Sequence, residues 1–163
     1  MPDSRVVHCE SPVGWIEIEG SQAGVSALSF VGAGRAKAGR PGKGPLPGPL
    51  TDCLLQLDEY FKGERTVFSL KLDLRGTVFQ KQIWAKLLQV KFGRTTTYKA
   101  LAEAVGRPAA TRAVGGANHR NPVSIIVPCH RVVGSDGSLT GYGGGLWRKE
   151  WLLRHEGRDI TLI

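Results

Sequence analysis

The feature that most narrows what this chain can fold into is a change of hydrophobic period at Gly76. Upstream, apolar residues sit in short β-rich runs: Val13, Trp15, Ile16 and Ile18, then Val25, Leu28, Phe30 and Val31, around Gly20-Ser21-Gln22-Ala23-Gly24, a plausible turn. Leu50, Leu54, Leu57 and Phe61 recur at i, i+4, i+7 and i+11 and predict one amphipathic helix ending near Gly63. Phe68, Leu70, Leu72 and Leu74 alternate, as a further strand would. Between these runs, Gly32 to Pro49 holds six Gly and four Pro with scattered Lys and Arg. That segment predicts a mobile loop, a solvated linker rather than a nucleic-acid arm. After Gly76 the period becomes helical. Thr77 to Gln80 has the spacing of a capping box, and Phe79, Ile83, Leu87 and Val90 form a helical face stopped by Gly93. The expected fold is α+β. A small N-terminal β-sheet-plus-helix domain, residues 1–75, is packed on a mostly α-helical C-terminal domain, residues 76–163.

Charge changes at the same place. Residues 1–75 carry 9 Lys and Arg against 9 Asp and Glu, whereas residues 76–163 carry 13 against 5. The whole net charge of +8 therefore lies in the second half. From Glu103 to Asp136 there is no acid, and Arg107, Arg112, Arg120 and Arg131 fall in that gap. Such a stretch fits a polyanionic partner, with ordinary solvated surface as the alternative. Three scattered cysteines (Cys9, Cys53 and Cys129) give no disulfide framework and fit a reducing compartment. The charged first twenty residues hold no secretory signal, and no apolar run reaches membrane-spanning length. A cytoplasmic protein that does not enter a membrane is expected.

Within the basic half, Thr97 can cap a short helix carrying Leu101 and Val105 and closed by Gly106. Pro108 sits where a first helical residue would, opening a second helix through Ala109, Ala110, Ala113 and Val114. The pair, with Arg112 on its second member, resembles a helix-turn-helix. Gly115-Gly116 costs that helix about 1 kcal/mol per Gly relative to Ala, which makes sense where another backbone must come close. Beyond it, the apolar run Ile125-Ile126-Val127 leads into Pro128-Cys129-His130-Arg131. Pro128 ends the lead-in and sets the direction of Cys129, and neighbouring cationic groups favour its thiolate. A structural cysteine beside a surface His-Arg pair is the alternative reading. Trp147 to His155 predicts a final amphipathic helix, with Trp151 and Leu152 available for the core.

Taken together, Tyr98, Arg112-Ala113-Val114-Gly115-Gly116-Ala117, Asn121-Pro122, Ile126 to Val132, Gly141-Tyr142 and Lys149 to Gly157 closely resemble the O6-alkylguanine-DNA alkyltransferases. The resemblance covers residues 77–157 and is weaker over 1–75. It implies DNA repair by direct damage reversal, in which an O6-alkylguanine is flipped from duplex DNA and its alkyl group passes once and irreversibly to Cys129. By the same resemblance, His130 is the general base for Cys129, acting through a water, and Glu156 orients His130 and stabilises its cation. Tyr98 protonates the leaving guanine, and Asn121 pins the turn before the active segment. Thr97, Arg112, Ala113, Gly115 and Arg131 are implied at the DNA, with Arg112 entering the duplex through the minor groove. Tyr98, Ser124, Val132, Tyr142, Gly143 and Gly144 are implied around the alkyl pocket. O4-alkylthymine is a second candidate substrate, the free protein is expected to be a monomer, and no cofactor is implied.

Two positions depart from the family. Ser124 stands where some members have proline, and Gly143-Gly144-Gly145 is a plain run that should leave space and mobility beside Tyr142. Some members hold zinc in the first domain, but His8, Cys9 and Cys53 lack paired ligand spacing, so no metal is expected. Three other functions compete: a non-catalytic lesion sensor, a redox-sensing helix-turn-helix transcription factor and a thiol hydrolase. The first lacks the motif cysteine, the second leaves Tyr98, Asn121 and Glu156 without a role, and the third leaves the basic half without purpose.

Overall fold

The alternation between residues 13 and 31 becomes two strands of a three-stranded antiparallel meander, β1 (Arg5–Ser11), β2 (Gly14–Ser21) and β3 (Gly24–Val31), in a computed structural model that describes residues 3–39 and 42–157. β1 shows no alternation because its residues are half-buried or exposed throughout, which is why the sequence pattern did not separate it. The chain divides into two compact units, Met1–Arg75 and Gly76–Ile163. In the first, Ile16, Ile18 and Gly20 of β2 point inward. A Cβ at Gly20 would lie 2.7 Å from the Gly24 carbonyl oxygen and 3.1 Å from Leu50, so glycine lets the following helix sit close to the sheet.

Three expectations for this unit fail. The Gly/Pro segment is not wholly loop: Ala33–Ala38 forms helix α1, Ala36 and both Pro47 and Pro49 are buried, and α2 (Gly48–Phe61) begins inside it. Proline is tolerated in the first helical turn because its missing N–H has no partner there. The inward face of α2 is Leu50, Cys53, Leu57 and Tyr60, rotated from the expected one; Leu54 and Phe61 are only half-buried. Residues 68–74 are extended but make only one bridge, at Leu72 against Val25. There the Val25 N–H donates to the Lys71 carbonyl (2.9 Å) and the Asp73 N–H to the Val25 carbonyl (2.8 Å). Gln56 holds the stretch instead, its amide donating to and accepting from the Ser69 backbone at 3.0 and 2.9 Å.

The second unit is helical around a two-strand parallel pair. Its elements are α3 (Val78–Leu87), β4 (Thr96–Thr97), α4 (Tyr98–Ala104), α5 (Thr111–His119), β5 (Val132–Val133) and α6 (Leu146–His155), with β4 beside β5. Thr77 and Gln80 close the expected capping box. The Trp84 indole N–H donates 2.9 Å to the Ala117 carbonyl and ties α3 to α5. α4 and α5 form a helix-turn-helix, but Pro108 does not open α5. It lies in the connecting turn, where the Ala110 N–H donates to the Arg107 carbonyl (2.9 Å), and the helix begins at Thr111.

Candidate active site

Backbone geometry presents Cys129. Ile125 has φ of +72°, the sole positive value at a non-glycine among the described residues, and the Ile126 N–H donates 2.8 Å to the Ser124 carbonyl across it. This tight turn is strained for a β-branched side chain. A second one follows at Pro128 (φ −83°, ψ 65°), where the Cys129 N–H reaches the Val127 carbonyl at 2.8 Å. Asn121 braces both: its amide donates 2.7 Å to the Val127 carbonyl and its oxygen accepts from the Val123 N–H at 3.0 Å. Burial of Val123, Ile125, Ile126 and Val127 fixes the lead-in, and Cys129–Arg131 then makes one 3-10 turn.

That turn directs His130 and Arg131 inward onto Glu156, at the end of α6. The ring Nε2 of His130 lies 2.8 Å from Glu156 Oε1. Arg131 donates from Nε to Oε2 (2.8 Å), from Nη2 to Oε1 (2.9 Å) and from Nη1 to the Val90 carbonyl (2.6 Å). Its guanidinium also stands over the Phe92 ring, 6.0 Å from the centroid. Arg131 is therefore not the DNA contact it was expected to be, because it is buried and these donors are engaged within the unit. Burial alone would raise the Glu156 carboxyl, but the hydrogen bonds and charges of His130 and Arg131 outweigh it and hold it at about 2. Burial pushes His130 down, and its contact with Glu156 only partly opposes this. A neutral ring facing a carboxylate carries its proton on Nε2, leaving the buried, unpartnered Nδ1 as the basic nitrogen. Glu156 orients His130, and its contact opposes the burial that favours the neutral ring.

Around Cys129, burial raises the thiol, while the Asn121 side chain, the Lys149 charge and the backbone N–H groups of Cys129 and His130 pull it down. Lys149 is fully buried, its Nζ donates 2.9 Å to the Thr140 carbonyl, and desolvation brings it down to about 8, against the opposing pull of Cys129. The Thr140 hydroxyl is 2.9 Å from the Tyr98 phenol, so α6 and α4 meet at this one residue. Burial and the nearness of Cys129 raise the Tyr142 phenol well above its ordinary value, and the Ser124 side chain opposes them. The glycine run after Tyr142 is anchored rather than loose: the Gly145 N–H donates to the Tyr142 carbonyl (2.9 Å) and Arg148 Nη1 to the Gly144 carbonyl (2.6 Å). Val132 is buried in β5, paired with Thr96.

The residues expected at DNA separate into two groups. Arg112 and Ala113 are exposed on α5, whereas the Thr97 hydroxyl caps α4 by accepting from the Ala100 N–H at 3.0 Å. A Cβ at Gly115 would come no nearer than 4.0 Å, to the Tyr98 ring, and one at Gly116 would meet nothing within 4 Å. No backbone of this unit therefore requires those glycines. Sequence reasoning placed Lys149 in the family motif but gave it no role, and missed Thr140 entirely. The signal for Lys149 was present: positions 149, 152, 153 and 156 follow helical spacing, which puts Lys149 on one face with Leu152, Leu153 and Glu156.

This arrangement can be set beside known proteins. Residues 7–74 match the 6-O-methylguanine DNA methyltransferase ribonuclease-like domain, and residues 78–158 match the DNA binding domain of the same family. A methylated-DNA–protein-cysteine methyltransferase of Mycobacterium leprae is 45% identical over 158 residues, covering 95% of each chain. One of Methanosarcina barkeri is 44% identical over 160 residues, covering 93% of this chain and 96% of its own. The crystal structure of Mycobacterium tuberculosis OGT in complex with DNA superposes with a TM-score of 0.81 at 43% identity, covering 93% of this chain and 91% of that one. With both halves matched in order and relatives alike along nearly their whole length, the chain belongs to the 6-O-methylguanine DNA methyltransferase family.

Proposed function

We infer that this protein repairs DNA by direct reversal, taking the alkyl group of an O6-alkylguanine onto Cys129 once per molecule. One observation carries the assignment: Cys129 is the cysteine whose burial is opposed by an amide, a buried cation and two N–H groups. In the reaction, His130 Nδ1 takes the thiol proton, directly or through a water. The sulfur then attacks the alkyl carbon as its bond to guanine O6 breaks. The electron pair left on O6 is neutralised by a proton from the Tyr98 phenol, a role supported by the hydrogen bond that fixes the phenol against Thr140. The product is a thioether that no side chain of the site can cleave, so transfer ends the life of the protein as a reagent.

Duplex DNA is bound by α5 through the minor groove. Ala113, Gly115 and Gly116 allow close approach, and Arg112 fills the space left by the extruded nucleotide. Tyr142, Ser124, Val132 and the backbone of Gly143 and Gly144 form the alkyl pocket. Residues 76–163 do this chemistry as a monomer and residues 1–75 support it; O4-alkylthymine is a second substrate. The protein works inside the cell, where its substrate is. Among the described residues no helix is long and apolar enough to cross a membrane. No group of three or more His, Cys, Asp or Glu there could hold a metal ion. The test is a duplex carrying radiolabelled O6-methylguanine. Label should pass to the protein to one equivalent and stop, on the peptide containing Cys129. Multiple turnover, or label elsewhere, contradicts the reading.

A further inference from the structure

Among the described residues, the large exposed apolar side chains are aliphatic apart from one, Trp147, which is 53% exposed at the start of α6. It is held in place without being buried. Its ring edge faces the loop after Tyr142 with room for little more than a hydrogen, since a Cβ on Gly145 would be 3.4 Å from Cδ1. The Arg148 guanidinium stacks over the ring at 4.5 Å from the centroid, and the same side chain donates to the Gly144 carbonyl. An exposed indole beside that loop, with a cation fastened to the loop stacked on it, is a prepared aromatic surface. The loop it leans on follows Tyr142, whose phenol oxygen is buried and stands near Cys129. No side chain projects between Tyr142 and Leu146, because residues 143–145 are all glycine, and the nearest atom a Cβ on Gly143 would meet is His119 Cε1 at 3.9 Å. That bare stretch is the way by which a group too large for the site beside Cys129 would reach the indole.

We propose that Trp147 is a specificity-determining residue: a stacking platform at the rim of the alkyl pocket that takes the aromatic part of bulky O6 substituents. It rests on the reading of Cys129 as the alkyl acceptor and adds a rule for substituent size. A methyl group is too short to reach the platform, so Trp147 should be silent for it. A benzyl group can lie on it, gaining the contact an aromatic pair makes.

The test compares wild type, Trp147→Ala and Trp147→Phe by single-turnover transfer from three substrates. These are duplex O6-methylguanine, duplex O6-benzylguanine and free O6-benzylguanine base, with melting temperatures checking the fold. Trp147→Ala should lose roughly tenfold on both benzyl substrates and stay within about twofold on the methyl duplex, and Trp147→Phe should recover most of the loss. Equal losses on both duplexes with the free base spared would make Trp147 a DNA contact and overturn the proposal. So would unchanged benzyl rates, a uniform loss tracking a lower melting temperature, or a wild type that transfers methyl but never benzyl. A wild type that transfers neither group would bring down the acceptor assignment itself, and this proposal with it.

Discussion

Cys53 and Cys129 are both buried, one on α2 of the first unit and one in the 3-10 turn of the second, yet their surroundings differ. Burial drives the Cys53 thiol up to about 12, and neighbouring Cys9 pushes the same way; Cys9 itself stands at about 11, raised by burial and then by Asp58. Burial raises the Cys129 thiol as well, but there Asn121, Lys149 and two backbone N–H groups oppose it. Burial alone makes a cysteine inert. Reactivity comes from polar groups that burial would normally exclude, held in place by each other.

The comparison breaks most sharply by deletion. Cys129→Ser should abolish alkyl transfer entirely, while Cys9→Ser and Cys53→Ala should leave the single-turnover rate within about twofold. Peptide mass mapping after repair should find one added alkyl, on the Cys129 peptide.

Next in size is the support around Cys129, which Cys53 lacks. Glu156→Gln leaves Arg131 and His130 buried beside a neutral group, and losing one partner of a buried ion pair typically costs about 3–5 kcal/mol. Denaturant melts should show most of that loss. Transfer should slow at least tenfold, while DNA affinity of the folded protein changes little, since Glu156 is buried away from α5's exposed face. The same carboxyl sets an acid limit. With its folded value near 2, below the ordinary 4.5, its contribution is fully present above pH 4.5 and lost as the pH falls towards 2. Roughly 3 kcal/mol is at stake. Melts between pH 2 and 6 should show a slope in wild type that Glu156→Gln flattens.

Arginines sharpen the contrast between interior and surface. Arg131→Ala should lower stability and leave the salt dependence of DNA binding unchanged. Arg112→Ala should do the reverse, reducing the salt slope by about one unit. It should also slow transfer on duplex more than on single-stranded substrate, with the defect shrinking when the lesion faces a mismatch. A uniform defect would reduce Arg112 to a phosphate anchor. The smallest effect, and opposite in sign for fold and function, belongs to Gly116→Ala. Nothing crowds that position, so alanine should raise stability by up to about 1 kcal/mol while weakening DNA binding.

How much of this was legible depends on whether a residue's neighbours are near in sequence. The Thr77-Gln80 box and the Thr97 cap are local, and the structure reproduces them. The extended run at 68–74 failed as a strand because pairing depends on a partner that alternation cannot supply. Arg131 reads as a surface cation beside His130. Its burial follows from a carboxylate 25 residues later and a carbonyl 41 residues earlier, and no local pattern reports either. Lys149 is the instructive miss: its helical spacing pointed inward, but lysine at an apolar position is normally read as an outward residue. In an active site that expectation reverses, because the nucleophile needs the charge that the core would reject.

Glu156 also gives the site an order of assembly. Ribosomes make Cys129, His130 and Arg131 before they make the carboxylate that aligns the last two, which lies 26 residues beyond His130. Until that residue emerges and α6 winds into place, neither His130 nor Arg131 has its partner and the thiol has no buried lysine beside it. A nascent chain therefore carries an ordinary cysteine, without the groups that surround it in the folded site. For a protein that can react only once, this protects against being spent on a stray electrophile before synthesis is finished.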